Sequence, residues 1–379
     1  MHWPFPHLSD QVSLPLPQLR LGKLDKPDRT CKPAALKTFG STLTRAFSGT
    51  LVTVLALGAL AGCSSSDETP SSITVYSGRS EELIGPLLEK FTEETGIEVE
   101  VRYADSPDLA LLLNEEGDKT PADVFISASP GAMGYLDGNK LLKELPESIL
   151  DQVPARFSAP DGTWVGISGR IRTLVYNKNE VKTGELPQSV FDLTDAKYKG
   201  KVGIAPTNSS FVDFVTAMRE IEGDARTQKW LDGMKANGVK TYADNTSIVQ
   251  AINRGEVTFG LVNHYYNEIA KAADPNVVSE NFIFPNRDVG ALILVTAAAV
   301  MSASDEVDPS EQLIDFLLTK ESQTFLADDE FEYPLAAGVK PPLNLTPLDE
   351  IEAPTAKLSS LGDELADTKL MIQKSGLEG

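Results

Sequence analysis

From residue 73 onward, short runs of β-branched and aromatic residues alternate with stretches whose apolar side chains recur every three or four positions. No other feature constrains the fold so tightly. Such alternation is the signature of an α/β protein, with helices packed on a sheet. Ile73-Thr74-Val75-Tyr76 is strand-like. Ser80 then stands at the cap of a helix with Glu81 and Glu82 in its first turn and an apolar face of Leu83, Leu87, Leu88 and Phe91, stopped by Gly96. Ile97, Val99 and Val101 alternate as the next strand, 123–127 reads as a buried strand, and 130–138 as a short helix.

Farther on, 171–176 is a strand at which the chain is expected to pass between lobes. Residues 201–205 form another strand, leading into a helix from Phe211. Helices are expected at 225–236 and 246–254, with a strand at 259–262 ending at Asn263. The apolar run at 289–301 has 13 residues, too few to span a bilayer, and reads as a core strand. The pattern fits two α/β lobes with a ligand cleft between them. One comprises 73–170 with about 297–345, the other 171–296 with about 346–379. Ligands of such sheets sit at the carboxyl ends of strands, beside helix N-termini.

The start of the chain reads differently. Residues 51–61 are apolar and follow Lys37 and Arg45, as in an export signal. The run ends in Leu60-Ala61-Gly62-Cys63 and a Ser-rich stretch, which closely resembles a bacterial lipobox. Residues 1–62 are therefore expected to be an export segment, Cys63 the lipidated residue, and 63–72 a flexible tether. Residues 1–35 are Pro-rich and fit no signal peptide, so a translation start nearer Lys37 is the alternative.

Composition removes several classes of function. Both cysteines, Cys31 and Cys63, precede the folded part, and His264 is the one histidine within it, which argues against a thiolate or His-rich zinc site. Net charge is -21, while residues 1–62 carry seven Lys/Arg against three Asp/Glu, so the acidity belongs to residues 63–379. That surface repels nucleic acid, and contact with membrane is expected through the lipid anchor only. No triad, P-loop, Gly-x-Gly-x-x-Gly or thiol nucleophile is present, so a secreted hydrolase is poorly supported. Glu115-Glu116 and Asp328-Asp329-Glu330 read as solvated faces.

The sharpest constellation is Asn263-His264-Tyr265-Tyr266, directly after a strand. Paired phenols suit a trivalent hard cation such as Fe3+, which displaces their protons; half-buried packing is the bland alternative. Ser127, Asn208, Ser209, Ser210, Asn245 and Asn263 stand at strand ends or ahead of helices, where they either hold an anion or cap and turn the chain. Arg79, Arg170 and Arg172 either clamp a carboxylate, carbonate or phosphate or pair with surface acids.

Several blocks, among them VYSGRSEELIGPLLEKFTEETGIEVEVRY, GKVGIAPTNSSFVDFV, NTSIVQAINRGEVTFGLVNHYY and EYPLAAGV, resemble the periplasmic ferric-ion-binding proteins of ABC importers across about 72–379. The resemblance implies a two-lobed, transferrin-like type II binding protein, not an enzyme, that closes by a hinge on Fe3+ or a ferric chelate. As a monomer it would deliver this cargo to ABC permease and ATPase subunits. Tyr265 and Tyr266 match the paired iron ligands; Asn208, Ser209, Ser210, Asn245 and Asn263 match segments that bind a synergistic anion, here carbonate, phosphate or citrate. Two departures stand out: Ser80 occupies a position where many members have a histidine ligand, and Ala128 one where they have a glutamate. Arg79 is then the expected anion partner, with Tyr76 or Glu81 as a further metal ligand. A receptor for another small ligand, such as a phosphonate, polyamine or sugar, is the alternative.

Overall fold

The computed structural model describes residues 71–378, except Leu343 and Asp363; the export segment, Cys63 and the tether as far as residue 70 lie outside the described residues. The first strand, β1 (Ser72–Ser77), leads into helix α1 (Glu81–Thr95), which buries Ile84, Leu87, Leu88 and Phe91 and ends at Gly96, whose φ of 75° suits glycine. Ser80 occupies the cap position without capping through its side chain. Strand β2 (Glu98–Tyr103) pairs parallel with β1 and is half-buried on alternate residues, as an edge strand should be. Helix α2 (Ser106–Glu116) returns the chain to β3 (Val124–Ser127), which is buried throughout. Helices α3 (Pro130–Gly138) and α4 (Glu147–Leu150) come next.

Strand β4 (Val165–Asn177) is the longest and runs through both halves of the molecule. Beyond it come β5 (Val202–Ile204), α5 (Ser209–Glu222), α6 (Asp224–Ala236), β6 (Lys240–Thr241), α7 (Asn245–Asn253) and β7 (Phe259–Asn263). Helix α8 (His264–Ala273) and β8 (Ser279–Phe282) precede β9 (Ile293–Val300), the core of the apolar run at 289–301. The chain ends with α9 (Val307–Leu318), α10 (Lys320–Asp328), β10 (Tyr333–Pro334) and α11 (Leu365–Ser375). Among the described residues no helix is long and apolar enough to cross a membrane.

The strands form one curled sheet in the order β2-β1-β3-β9-β4-β7-β5-β6, with β8 and β10 also paired to β4. The first half of β4 pairs with β9, from Val165 to Ile171; its second half pairs with β7 and β8, from Arg172 to Asn177. Two lobes result, each with its own core. One core collects β1, β3, β9 and helices α1 to α3 around Phe91, Phe125 and Trp164. The other gathers Phe211, Phe214, Trp230 and Phe259 from α5, α6 and β7. The turn at Leu358–Gly362 packs on α3 before α11 joins the second core through Ile372.

Candidate ligand-binding site

Four helices start at one cavity of about 470 Å3. Gly78, Arg79 and Ser80 line it from the start of α1; Tyr103, Ala104 and Asp105 from the start of α2. Asn208, Ser209 and Ser210 face it from the start of α5, and Asn263, Tyr265 and Tyr266 from the start of α8. Leu83 of α1, Arg170 of β4 and Ala128 close the set. The unsatisfied N–H groups and dipoles of these helix ends make the cavity electropositive before any side chain is counted.

Arg79 is fixed by its neighbours. A Cβ on Gly78 would fall 1.8 Å from Ser106 Oγ, so only glycine lets β1 pass the start of α2 this closely. Ser77 Oγ then accepts from Arg79 N at 3.1 Å and donates to Arg79 O at 2.9 Å. Arg79 is 4 % exposed. Its Nη1 lies 2.8 Å from Glu332 Oε1, as an ion pair off the hydrogen-bond axis, and its Nη2 has no partner among the described residues. Burial works against the guanidinium charge, but Glu332, the two tyrosines and Glu330 outweigh it and raise the pKa above its ordinary value. Glu332 itself is fully buried and accepts from Ser168 Oγ. Burial pushes neighbouring Glu330 up to about 7 against the pull of Arg79. The reading of 328–330 as a solvated face is thus corrected at Glu330, which is buried; Asp328 and Asp329 are exposed.

Tyr265 is 3 % exposed and stacks on Tyr266 with ring centroids 4.2 Å apart and planes 29° apart. Burial, then the neighbouring Tyr266, holds the Tyr265 phenol well above its usual pKa. A metal ion must therefore displace its proton. His264 supports the pair from behind. Its Nδ1 accepts from Ile171 N at 3.3 Å and its Nε2 lies 2.8 Å from Phe331 O, so Nε2 carries the proton. Burial lowers its pKa to about 4. With both ring nitrogens engaged, His264 is a brace for the Tyr265 helix and not a ligand. Phe331, which accepts that bond, has φ 56°, a strained value for so bulky a residue, directly ahead of Glu332.

The polar segments of the second lobe are tied together beneath the cavity. Asn208 Oδ1 accepts from Ser210 Oγ at 2.6 Å, from Ser210 N at 3.2 Å and from Asn245 Nδ2 at 3.2 Å. Fully buried Arg172 donates to Asn263 Oδ1 at 3.1 Å and Ser210 Oγ at 3.3 Å; burial, then Arg170, pushes its pKa down to about 9. Asp244, not Asn245, caps α7, accepting from Ser247 N at 2.7 Å.

Other expected residues fall elsewhere. The Tyr76 phenol donates to Glu116 at 3.2 Å and accepts from Arg102, outside the cavity lining, because its strand turns it toward β2 and α2. Glu81 is exposed on the first turn of α1 and Ser127 is a buried turn brace, bonded to Ser129 O at 2.8 Å; neither lines the cavity. Conversely, the residue pattern alone does not single out Tyr103, Asp105 or Glu332. Tyr103 continues the alternation of Val99 and Val101, a usable signal; Asp105 hides in what looks like a helix start, and burial of Glu332 depends on a partner remote in sequence.

The chain matches the model of a family described as bacterial extracellular solute-binding proteins over residues 119–350. It is 34% identical over 307 residues to the major ferric iron-binding protein of Neisseria meningitidis serogroup A, covering 80% of this chain and 92% of that one. Iron-bound HitA from Pseudomonas aeruginosa superposes with a TM-score of 0.77 at 31% identity, covering 81% of this chain and 100% of the other. A Trichodesmium protein (IdiA, FutA) in complex with iron and citrate gives 0.70 at 25% identity, with 81% and 99% covered. By fold, family match and identity together, the chain belongs to the bacterial extracellular solute-binding proteins.

Proposed function

We propose that the chain captures ferric iron outside the cytoplasm, with a synergistic anion or as a ferric chelate, and delivers it to the permease and ATPase of an ABC importer. One observation carries the reading: the stacked Tyr265–Tyr266 pair shares a cavity with Arg79, whose Nη2 is buried and has no partner among the described residues. Two phenolates are hard oxygen donors for Fe3+, and a guanidinium with a spare nitrogen suits a carbonate, phosphate or citrate bound beside the metal. Ser80, Asn208, Ser209, Ser210 and Asn263 are the further anion contacts in this reading, with Asn245 supporting them from behind. Tyr265 and Tyr266 also line an adjoining groove of about 710 Å3 between α1, α7 and α8, room enough for the organic part of a chelate. The relatives named for ferric iron support the same cargo.

The test is optical. Purified protein mixed with ferric citrate should turn orange-red through phenolate-to-iron charge transfer, and the double variant Tyr265→Phe, Tyr266→Phe should stay colourless. A colourless wild type sinks the reading. The second reading, a receptor for a bare anion such as a phosphonate, draws on the four helix ends and the two cavity arginines. Anion binding by a protein that stays colourless with iron would favour it.

The lipobox-like LAGC at 60–63 supports anchoring of this receptor through Cys63. Cys63→Ser should then shift the protein from the membrane fraction to the soluble one; unchanged fractionation would count against the anchor.

A further inference from the structure

We infer that Asp105 is the carboxylate that the first lobe supplies to the bound ferric ion, completing a coordination sphere that the two tyrosines leave open. The inference rests on the iron reading and deepens it. Fe3+ seeks about six hard oxygen donors, and Tyr265 and Tyr266 provide two, both from α8. On the facing side the cavity is lined by Gly78, Arg79, Leu83, Ala104 and Ala128, which offer no side-chain oxygen, and by Ser80, Tyr103 and Asp105, which do. Asp105 is the single carboxylate in the lining among the described residues.

Its obvious structural role is not the one it plays. Asp105 stands at the N-cap of α2, where an aspartate normally accepts from the N–H of the second or third helical residue. Here the side chain makes no cap hydrogen bond, although the backbone is in the cap conformation (φ -62°, ψ 138°). The first-turn amides of Asp108 and Leu109 go instead to Asp105 O, each at 3.0 Å. No ion pair engages the carboxylate among the described residues. It is left lining the cavity at the N-terminal end of α2.

Charge counting agrees. Two phenolates leave one positive charge on Fe3+, and one carboxylate cancels it. Arg79, whose Nη1 pairs with Glu332, keeps an Nη2 without a partner among the described residues in the same cavity, a donor for the synergistic anion. Tyr103, half-buried beside Asp105, is the competing donor. A third phenolate would strengthen the colour, whereas a carboxylate adds affinity without adding a chromophore.

That contrast sets the experiment. Iron affinity is measured by competition with citrate, and the charge-transfer band recorded, for wild type, Asp105→Asn, Asp105→Glu and Tyr103→Phe. Asparagine is an equally good cap residue, so Asp105→Asn should fold as wild type, checked by its denaturant midpoint. The expected result is a coloured Asp105→Asn protein that binds iron about a hundredfold more weakly, partial recovery in Asp105→Glu, and near-wild-type affinity and colour in Tyr103→Phe. Unchanged affinity in Asp105→Asn, or a loss of colour and affinity in Tyr103→Phe alone, overturns the assignment while leaving the iron reading intact. A colourless wild type overturns both.

Discussion

At the scale of single residues, the cavity depends on close approaches as much as on chemistry. Gly78 is the clearest case. Ser106 Oγ occupies the space a side chain would need and at the same time accepts from Ala128 N at 2.9 Å. Gly78→Ala should push the start of α2 away from β1, carrying Asp105 and the segment at Ala128 with it. The expected cost is about 1–3 kcal/mol, as for other overpacked sites, together with weaker iron binding. A denaturant midpoint equal to wild type would show that the approach is not tight. Residue-scale legibility is uneven for a physical reason. Tyr265 and Tyr266 announce themselves because the two phenols are adjacent in sequence and directly follow a strand. Glu332 and Glu330 do not, since acids in sequence look solvated until a remote arginine is brought beside them. Asp105 escapes notice because a helix-start signature explains it too readily.

At the scale of elements, one helix of the second lobe is tied to the capping residue of a helix of the first. Asp213 of α5 accepts from Ser129 Oγ at 2.8 Å, next to the backbone of Gly131 in the first turn of α3. Its other oxygen has no partner among the described residues. Burial pushes the Asp213 carboxyl up to about 7, against the opposing influence of Ser129, Arg170, Gly131 and Arg172. The folded state thus holds a proton that the unfolded chain has released above about pH 4. This group's stabilising contribution is full below that pH and is lost as pH rises through about 7. Asp213→Asn should remove about 2–4 kcal/mol of pH dependence between pH 4 and 8, read as urea midpoints at the two ends. Parallel slopes for wild type and variant would refute it. Elements are legible where periodicity is strong: the helix expected at 130–138 is α3 to the residue, and those at 225–236 and 246–254 each begin one residue earlier. Strand β4 is twice as long as the expected 171–176 because its first half, with Gly166, Ser168 and Arg170, shows no apolar run; burial on both faces and pairing to β9 make it strand.

For the whole molecule, the two-lobed plan is readable from alternation of strand and helix, whereas strand order is not, because pairing partners are set by contacts remote in sequence. The sheet brings β9 between β3 and β4, with Ala297–Val300 against Val124–Ser127. That placement has a temporal consequence. A chain emerging from the ribosome makes β1, β2 and β3 early, but their missing neighbour arrives only after β4 to β8 have been made. The amino-terminal lobe therefore stays incomplete through most of synthesis, since long loops must close before its non-local pairings form. The sheet of that lobe can be completed only once Ile293–Val300 has been made.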